Sequence, residues 1–249
     1  MNNKLNNIPT SSSIPPLGGG GDVCGILHLL HISDPTLPIG GFSHSAGLET
    51  YVQSGKIKDT DTAREFIIQQ LQQNLLYTDA ALVSLAFDAT INNDVERLIF
   101  LDNICNAVKL PIEMRQASQK LGMRLMKIFK PLISHTLIDQ YSNSVKGNNS
   151  GNHYCICFGL LAALMGIDKC ETLSGFYYNA AAGFVTNSVK LIPLSQQSGQ
   201  VIMFEMLTLI NQLVEKTMNP DESMIGICCA GFDVSSMQHE RLYSRLYMS

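Results

Sequence analysis

The chain has 249 residues, of which 45% are apolar and 15% are charged, and its formal net charge is −4. A chain of this length can bury most of its apolar surface in one core, and the acidic balance without any Lys/Arg block argues against nucleic-acid binding. The low charged fraction leaves uncharged surface to be covered by other subunits, so a homodimer is expected.

The N-terminal 22 residues predict a flexible lead. Residues 1–22 are mainly Asn, Ser, Pro and Gly and show no periodicity. The apolar stretch behind them is only about ten residues long and contains two histidines, so we expect no signal peptide. The longest uncharged apolar run, residues 154–167, is shorter than the ~18 residues of a membrane span. With seven scattered cysteines expected as free thiols, the chain is predicted to be cytoplasmic and to have no membrane contact.

An unusual loop follows the first predicted helix. The apolar segment 23–32 predicts that helix, and two prolines with Gly40-Gly41 predict an irregular linker after it. A short helix then begins near Ser43 or Ser45 and is ended by Gly55. Because polar side chains are interspersed with large apolar ones here, the loop is predicted to have a defined shape.

Helical periodicity covers the middle of the chain. A capping-box pattern at Thr62-Ala-Arg-Glu65 precedes apolar residues at helical spacing and predicts one long helix to about Ala89. Further helices are predicted over 93–108 and 111–130, and a shorter one to about Tyr141.

The second half begins with a polar insertion over 142–152 that predicts a mobile surface loop. Residues 153–166 predict a buried helix, 168–191 a long helix capped by its first residue, and 200–216 a helix that is mostly buried. Nothing alternates with period two for long enough to require a sheet. The sequence therefore predicts an all-α, single-domain helical bundle of about nine to ten helices over 23–249.

Candidate catalytic and metal-binding residues are few. Ser43-His44-Ser45 beside Asp34 suggests a nucleophile, but adjacent side chains on a turn rarely face each other, so capping and structural roles are preferred. On a helix, His153-x-Cys155-x-Cys157 cannot bring both thiols to one ion, because residues two apart point about 200° around the axis. These cysteines are predicted to be buried structural residues.

A small all-α metal-dependent enzyme is the alternative function. It would use three histidines and two carboxylates, namely His28, His31, His44, Asp34 and Glu49. Tightly held, stoichiometric metal in the purified protein would favour this alternative.

Two further features fit a binding role. Lys190 lies one turn from the end of a predicted helix, where a cation can also simply stabilise the helix terminus by about 0.3–1 kcal/mol. The tail 238–249 places large apolar groups on one helical face beside two arginines, a composition typical of binding segments, although chain termini usually fray. The tail residues with these side chains are Arg241, Leu242, Tyr243, Arg245, Leu246 and Tyr247.

The stretch Asp34-Pro-Thr-Leu-Pro-Ile-Gly-Gly-Phe-Ser-His-Ser-Ala-Gly-Leu-Glu49 resembles the N-terminal signature of the UreF family of urease accessory proteins. Segments 115–122, 180–200 and 241–249 match the family in the same order, so the resemblance covers residues 23–249. The signature residues in the loop are Pro38, Gly40, Gly41, Phe42, Ser43, His44, Ser45, Gly47 and Glu49.

The resemblance implies a non-catalytic chaperone, helical and dimeric in its complexes. Such a protein would bridge the accessory protein UreD (also called UreH) and the GTPase UreG, and so couple GTP hydrolysis to nickel delivery into apo-urease. Nickel would be handled by the complex rather than held by this chain, so no cofactor and no resident metal are expected. The residues implied to bind partners or to modulate the GTPase are Lys190, Arg241, Tyr243, Arg245 and Tyr247. The chain departs from the pattern at Met248, where an arginine is expected.

Overall fold

The computed structural model describes residues 23–41, 45, 47–146, 151–227, 229–239 and 246–247. All regular structure in these residues is helical, which confirms the predicted all-α fold. The helices are α1 (Val23–Ile32), α2 (Leu48–Gln53), α3 (Thr60–Gln69), α4 (Asp79–Ile91), α5 (Val95–Val108), α6 (Ile112–Phe129), α7 (Thr136–Val145), α8 (Tyr154–Leu164), α9 (Lys169–Leu191), α10 (Gln196–Thr217) and α11 (Ala230–His239). The predicted N-terminal lead, residues 1–22, lies outside the described part of the chain.

Several helix ends lie where local sequence predicts them. The side chain of Asp168 accepts a hydrogen bond of 2.7 Å from the N–H of Cys170, so it caps α9 at the predicted position. Pro111 precedes the first residue of α6, and Gly55, with a φ of 71°, follows the end of α2. Such ends depend on one or two residues, which is why the sequence predicts them.

The single long helix predicted over 62–89 is wrong. The structure divides it into α3, a π-helix over Gln70–Leu75, and α4, with a break at Thr78 (φ −129°, ψ −97°). Oγ1 of Thr78 donates to the carbonyl of Asn74 at 2.7 Å, which satisfies a carbonyl that the break would otherwise leave free. After the break, α4 packs mainly against α8 and α5, whereas α3 contacts α9 and α10.

Two helices begin at residues other than those predicted. The capping box of α3 is formed by Asp59 and Thr62, with the N–H of Thr62 donating to the Asp59 carboxylate at 2.9 Å, rather than by Thr62 and Glu65. The helix expected near Ser45 begins at Leu48, after a glycine in the left-handed region.

The stretch predicted as a mobile insertion is partly helical. Helix α7 continues through Val145, which is buried, and Gly151 is buried as well. Residues 147–150 lie outside the described part of the chain.

Helix α8 forms the centre of the bundle, where it packs most extensively against α4 and also against α6, α9 and α1. Its residues Cys155 through Ala163 are all buried, as predicted for this segment. Gly159 allows the close approach of α4, because a Cβ at this position would lie 2.6 Å from the carbonyl oxygen of Val83. None of the described helices is long and apolar enough to cross a membrane.

The prediction that 200–216 is mostly buried is wrong. Helix α10 packs one face against α9 and leaves a second apolar face exposed, which includes Val201, Phe204 and Leu207. Most contacts of this helix are with α9 alone, so the apolar residues on its other side have no neighbour to cover them.

Candidate partner-binding site

The turn before α2 is held by its own polar groups. Oδ1 of Asp34 accepts hydrogen bonds from the N–H and the Oγ1 of Thr36, both at 2.7 Å, and these bonds lower the pKa of the Asp34 carboxyl. Leu37 and Ile39 point into the core, while Pro38 between them is exposed. The turn therefore fixes the direction in which the chain approaches α2.

Gly40 anchors this turn against α6. Its φ is 84°, and a Cβ there would lie 2.3 Å from Nη1 of Arg124, which donates a hydrogen bond of 2.8 Å to the carbonyl of Ile39. Gly41 follows at the surface. The predicted signature residues Phe42, Ser43 and His44 lie outside the described part of the chain.

Gly47 brings α2 and α11 together. It precedes α2 with a φ of 78°, and a Cβ would lie 2.8 Å from Oγ of Ser236 in α11. Ser45, two residues earlier, is fully buried. The close contact places the first turn of α2, with Glu49, beside the end of α11.

His239, the last residue of α11, is buried between two carboxylates. Its Nε2 lies 3.2 Å from Oε2 of Glu49, and its Nδ1 lies 2.9 Å from Oε2 of Glu113 in α6. The exposed fraction of the side chain is 1% for His239, 5% for Glu49 and 21% for Glu113. An ionised carboxylate only accepts hydrogen bonds, so each ring nitrogen of His239 is placed to donate to the carboxylate it faces.

Glu49 also binds the last described residues of the chain. The backbone N–H of Leu246 donates to Oε1 at 2.8 Å, and the N–H of Tyr247 donates to Oε2 at 3.2 Å. Tyr247 is buried, and burial together with the charge of Glu49 raises the pKa of its phenol. One carboxylate in the signature segment thus holds both the final helix and the tail beyond it.

The structure describes only part of the predicted tail. Residues 238–239 lie in α11, residues 246–247 form a bend, and residues 240–245 lie outside the described part of the chain. Leu246 is 67% exposed, whereas Tyr247 packs against its own chain. Arg241, Tyr243 and Arg245 lie outside the described residues, so their predicted contacts with a partner stay predictions.

Glu113 and His239 are site residues that sequence reasoning missed. His239 is 126 residues from Glu113 and 190 residues from Glu49, so no local spacing connects them. The only signals were a carboxylate at the end of the signature segment and a histidine at the start of the tail. Burying either group requires a partner, but the sequence does not say which one.

Lys190 lies apart from this cluster. It is exposed in the last turn of α9 and lines a small cavity of about 80 Å³ together with Val185, Gln196 and Gly199. Among the described residues, no hydrogen bond or ion pair connects Lys190 with Glu49. The predicted GTPase-modulating residue is therefore not part of the site at which Glu49 binds the tail.

The residues of the alternative metal enzyme are engaged separately. The ring of His31 lies 5.1 Å from that of Phe129, Asp34 closes its own turn, and Glu49 binds the tail. In the described ranges, no group of three or more His, Cys, Asp or Glu side chains is arranged to hold a metal ion. Among the described residues, these contacts do not bring His31, Asp34 and Glu49 together at one centre, and His44 lies outside the described part of the chain.

The fold and the site define an all-α protein in which segments distant in the chain meet at one buried carboxylate. The UreF family model matches residues 57–207 of the chain. The chain is 49% identical to urease accessory protein UreF of Actinobacillus pleuropneumoniae over 221 residues, which cover 89% of this chain and 97% of that protein. It is 47% identical to the protein of the same name from Haemophilus influenzae over 221 residues, 89% of this chain and 94% of that protein. It is 33% identical to urease accessory protein UreF of Sporosarcina pasteurii over 202 residues, which cover 81% of this chain and 100% of that protein. The chain belongs to the UreF family.

Proposed function

We propose that this chain acts in urease maturation as a non-catalytic adaptor. It binds a UreD/UreH-like accessory protein and a UreG-like GTPase, and it couples GTP hydrolysis to nickel incorporation into apo-urease in the cytoplasm. Its relatives are named urease accessory protein UreF, which supports the urease part of this proposal. Nickel is the cargo of the complex and not a resident cofactor of the chain.

The observation that supports the proposal is the binding of the tail by the Glu49 carboxylate. Two stretches that resemble the family, the signature loop and the C-terminal tail, meet at this carboxylate through the N–H groups of Leu246 and Tyr247. Backbone contacts fix where the tail lies but leave its side chains to select a partner. The two stretches therefore act together as one docking surface for the UreD/UreH-like protein.

Within this surface the tail residues have different roles. Tyr247 is an internal anchor, because its side chain is already buried in its own chain. Leu246, which is exposed, lies on the outer side of the bend and is available to a partner. Arg241, Tyr243 and Arg245 supply the remaining aromatic and cationic groups that interfaces favour.

Deletion of residues 241–249 tests the proposal. The deletion removes the docking segment but leaves the helical core, so we expect unchanged helical circular dichroism and strongly reduced co-purification with the UreD/UreH-like protein. In cells, urease should be made but should contain little nickel. As a matched point variant, Leu246→Asp should weaken the same binding without shortening the chain. Full-yield co-purification and normal urease activity of the truncated protein would contradict the proposal.

Lys190 is proposed to act on the GTPase. Its ammonium is solvent-exposed at the C-terminal end of α9, where it can reach an acidic group of a partner. Lys190→Ala should change the GTPase rate of the complex, and Lys190→Arg should preserve it, while both variants should keep the same fold. Equal GTPase rates for wild type and Lys190→Ala would remove this role.

We propose that the chain forms a homodimer through the outer face of α1. Ile26, Leu27 and Leu30 are exposed on this face, with exposed fractions of 49%, 60% and 64%. On the opposite side, Ile32 is buried in the core and Leu29 packs against it. A short helix with two apolar sides is typical of an element packed between its own domain and another surface.

A further inference from the structure

Two buried thiols face each other between α5 and α8. Sγ of Cys105 lies 3.5 Å from Sγ of Cys155, and both side chains have an exposed fraction of 0%. The distance corresponds to a hydrogen bond between a thiol and a second sulfur, and a disulfide bond requires the two sulfurs to approach to ~2 Å.

Cationic and polar groups surround this pair. Lys109, one turn after Cys105, forms an ion pair of 2.7 Å with Asp79, and both side chains are largely buried. Burial alone would raise the pKa of the Cys105 thiol, but the hydrogen bond with Cys155, the contact with His153 and the charge of Lys109 together lower it. Burial, together with the hydrogen bond to Cys105, raises the pKa of the Cys155 thiol. The pair is therefore suited to hold one thiolate beside one thiol.

His153 adds a second observation. Its Nδ1 lies 3.2 Å from Oγ of Ser118, while its Nε2 is buried and has no hydrogen-bond partner among the described residues. A buried ring nitrogen without a partner is costly in an apolar core. Its interaction with Cys105 lowers the pKa of that thiol, so His153 can stabilise a negative charge on the sulfur.

A cavity of about 210 Å³ is lined in part by Lys109, Ser118 and Tyr154. Ser118 contacts His153, and the charge of Lys109 acts on Cys105. Neither Cys105 nor Cys155 lines this cavity, and both are fully buried, so oxidation of the pair requires a local opening of the core.

We propose that Cys105 and Cys155 form a modification site, a dithiol that hydrogen peroxide converts to a disulfide linking α5 to α8. The Cys105 thiolate attacks one peroxide oxygen, the O–O bond breaks, and the leaving hydroxide takes up a proton to become water. Cys105 is then a sulfenic acid. Cys155 gives up its proton, its sulfur attacks the Cys105 sulfur, the S–O bond breaks, and a second water leaves. In total, two thiols lose two hydrogen atoms, and one peroxide is reduced to two waters.

The disulfide ties the central helix to α5. It closes a loop between residues 50 apart in the chain, and such a cross-link stabilises a fold mainly by restricting the unfolded state. Oxidation therefore rigidifies the core without adding a group to the surface. Cys157 does not compete, because burial and the nearby Asp102 raise the pKa of its thiol, and Cys170 is exposed at the start of α9, away from the α5–α8 contact.

The experiment uses the purified full chain treated with hydrogen peroxide. We expect an intact mass lower by two hydrogen atoms, and a cross-link between the peptides that contain Cys105 and Cys155 in a non-reducing digest. The melting temperature should rise by several degrees and return to its starting value after dithiothreitol. The matched control Cys170→Ser should form the same cross-link, whereas Cys105→Ser should not.

Two results would overturn the proposal. One is the recovery of Cys105 and Cys155 as free thiols, alkylated only after denaturation, when exposed Cys170 is already oxidised. The other is oxidation of Cys105 to sulfinic acid without a cross-link to Cys155. Both are measured on the wild-type chain, so they decide the question even if Cys105→Ser does not fold.

Discussion

Glu49 and His239 are separated by 190 residues in the chain and meet with 3.2 Å between Oε2 and Nε2 in a buried contact. The carboxylate also receives two backbone N–H groups from the tail. Its position in the first turn of α2 adds a favourable interaction with the helix N-terminus. This one side chain links the signature segment, the last helix and the end of the chain.

Replacement of Glu49 by Gln should release the tail while leaving the bundle folded. The amide keeps the size of the side chain but loses the charge and one acceptor oxygen, and each buried donor left without a partner costs about 1–3 kcal/mol. Limited trypsin digestion should therefore cleave after Arg241 or Arg245 faster than in wild type. Helical circular dichroism should not change.

Glu65→Gln is the matched control for this variant. Glu65 is an exposed glutamate on α3 that accepts a hydrogen bond of 2.8 Å from Gln69, within its own helix. The control should keep the wild-type digestion rate. If Glu49→Gln is also digested at that rate, Glu49 does not hold the tail.

The parts of the fold that the sequence predicts are those fixed locally. The cap at Asp168 and the end of α2 at Gly55 each depend on one residue with a strong backbone preference. The burial of α8 follows equally directly from its uniform apolar composition. These elements needed no knowledge of their neighbours.

The parts that the sequence does not predict depend on contacts between distant residues. The break at Thr78 contains no glycine or proline, and it is accompanied by the pairing of Asp79 with Lys109, 30 residues further on. The position of the tail likewise depends on a contact between two distant residues, Glu49 and His239. In both cases the local sequence permits several outcomes and tertiary packing selects one.

The Asp79–Lys109 pair should show strong coupling in a double-mutant cycle. The side chains are 16% and 12% exposed, so removing either partner leaves a largely buried charge, and we expect each of Asp79→Asn and Lys109→Met to cost about 3 kcal/mol. The double variant should cost less than the sum of the two. Urea denaturation measures these differences, and strict additivity would contradict the pairing.

The same pair should contribute a pH-dependent stability. Burial would raise the pKa of Asp79, but the charge and the hydrogen bond of Lys109 outweigh it and lower the pKa below its usual value. The unfolded chain then binds the proton more tightly, so the contribution is complete above about pH 4 and is lost as the pH falls through the folded-state pKa. The stability difference between wild type and Asp79→Asn should therefore shrink in acid. A difference that stays constant from pH 7 down to strongly acidic solution would refute this origin.

Gly159 and Gly183 should respond in opposite directions to alanine. A Cβ at Gly159 would press against the backbone of α4, 2.6 Å from the carbonyl oxygen of Val83, so Gly159→Ala should destabilise the fold by about 1–3 kcal/mol. At Gly183 on α9, no described atom lies within 4 Å of that position, and alanine should add up to about 1 kcal/mol through helix propensity. Denaturation midpoints compare the two directly. Equal effects at both sites would mean that α4 and α8 do not approach as closely as described.

The outer face of α1 should decide the oligomeric state. Leu27 and Leu30 are 60% and 64% exposed, and Asp at both positions places two charges in any apolar interface there, each of which loses its hydration without gaining a partner. Light scattering should show a dimer for wild type and a monomer for Leu27→Asp/Leu30→Asp at the same concentration. Ile91→Asp is the control, because Ile91 is similarly exposed, at 64%, but lies at the end of α4. It should remain dimeric, and a wild-type chain that is monomeric both alone and with its partners would remove the dimer from the proposal.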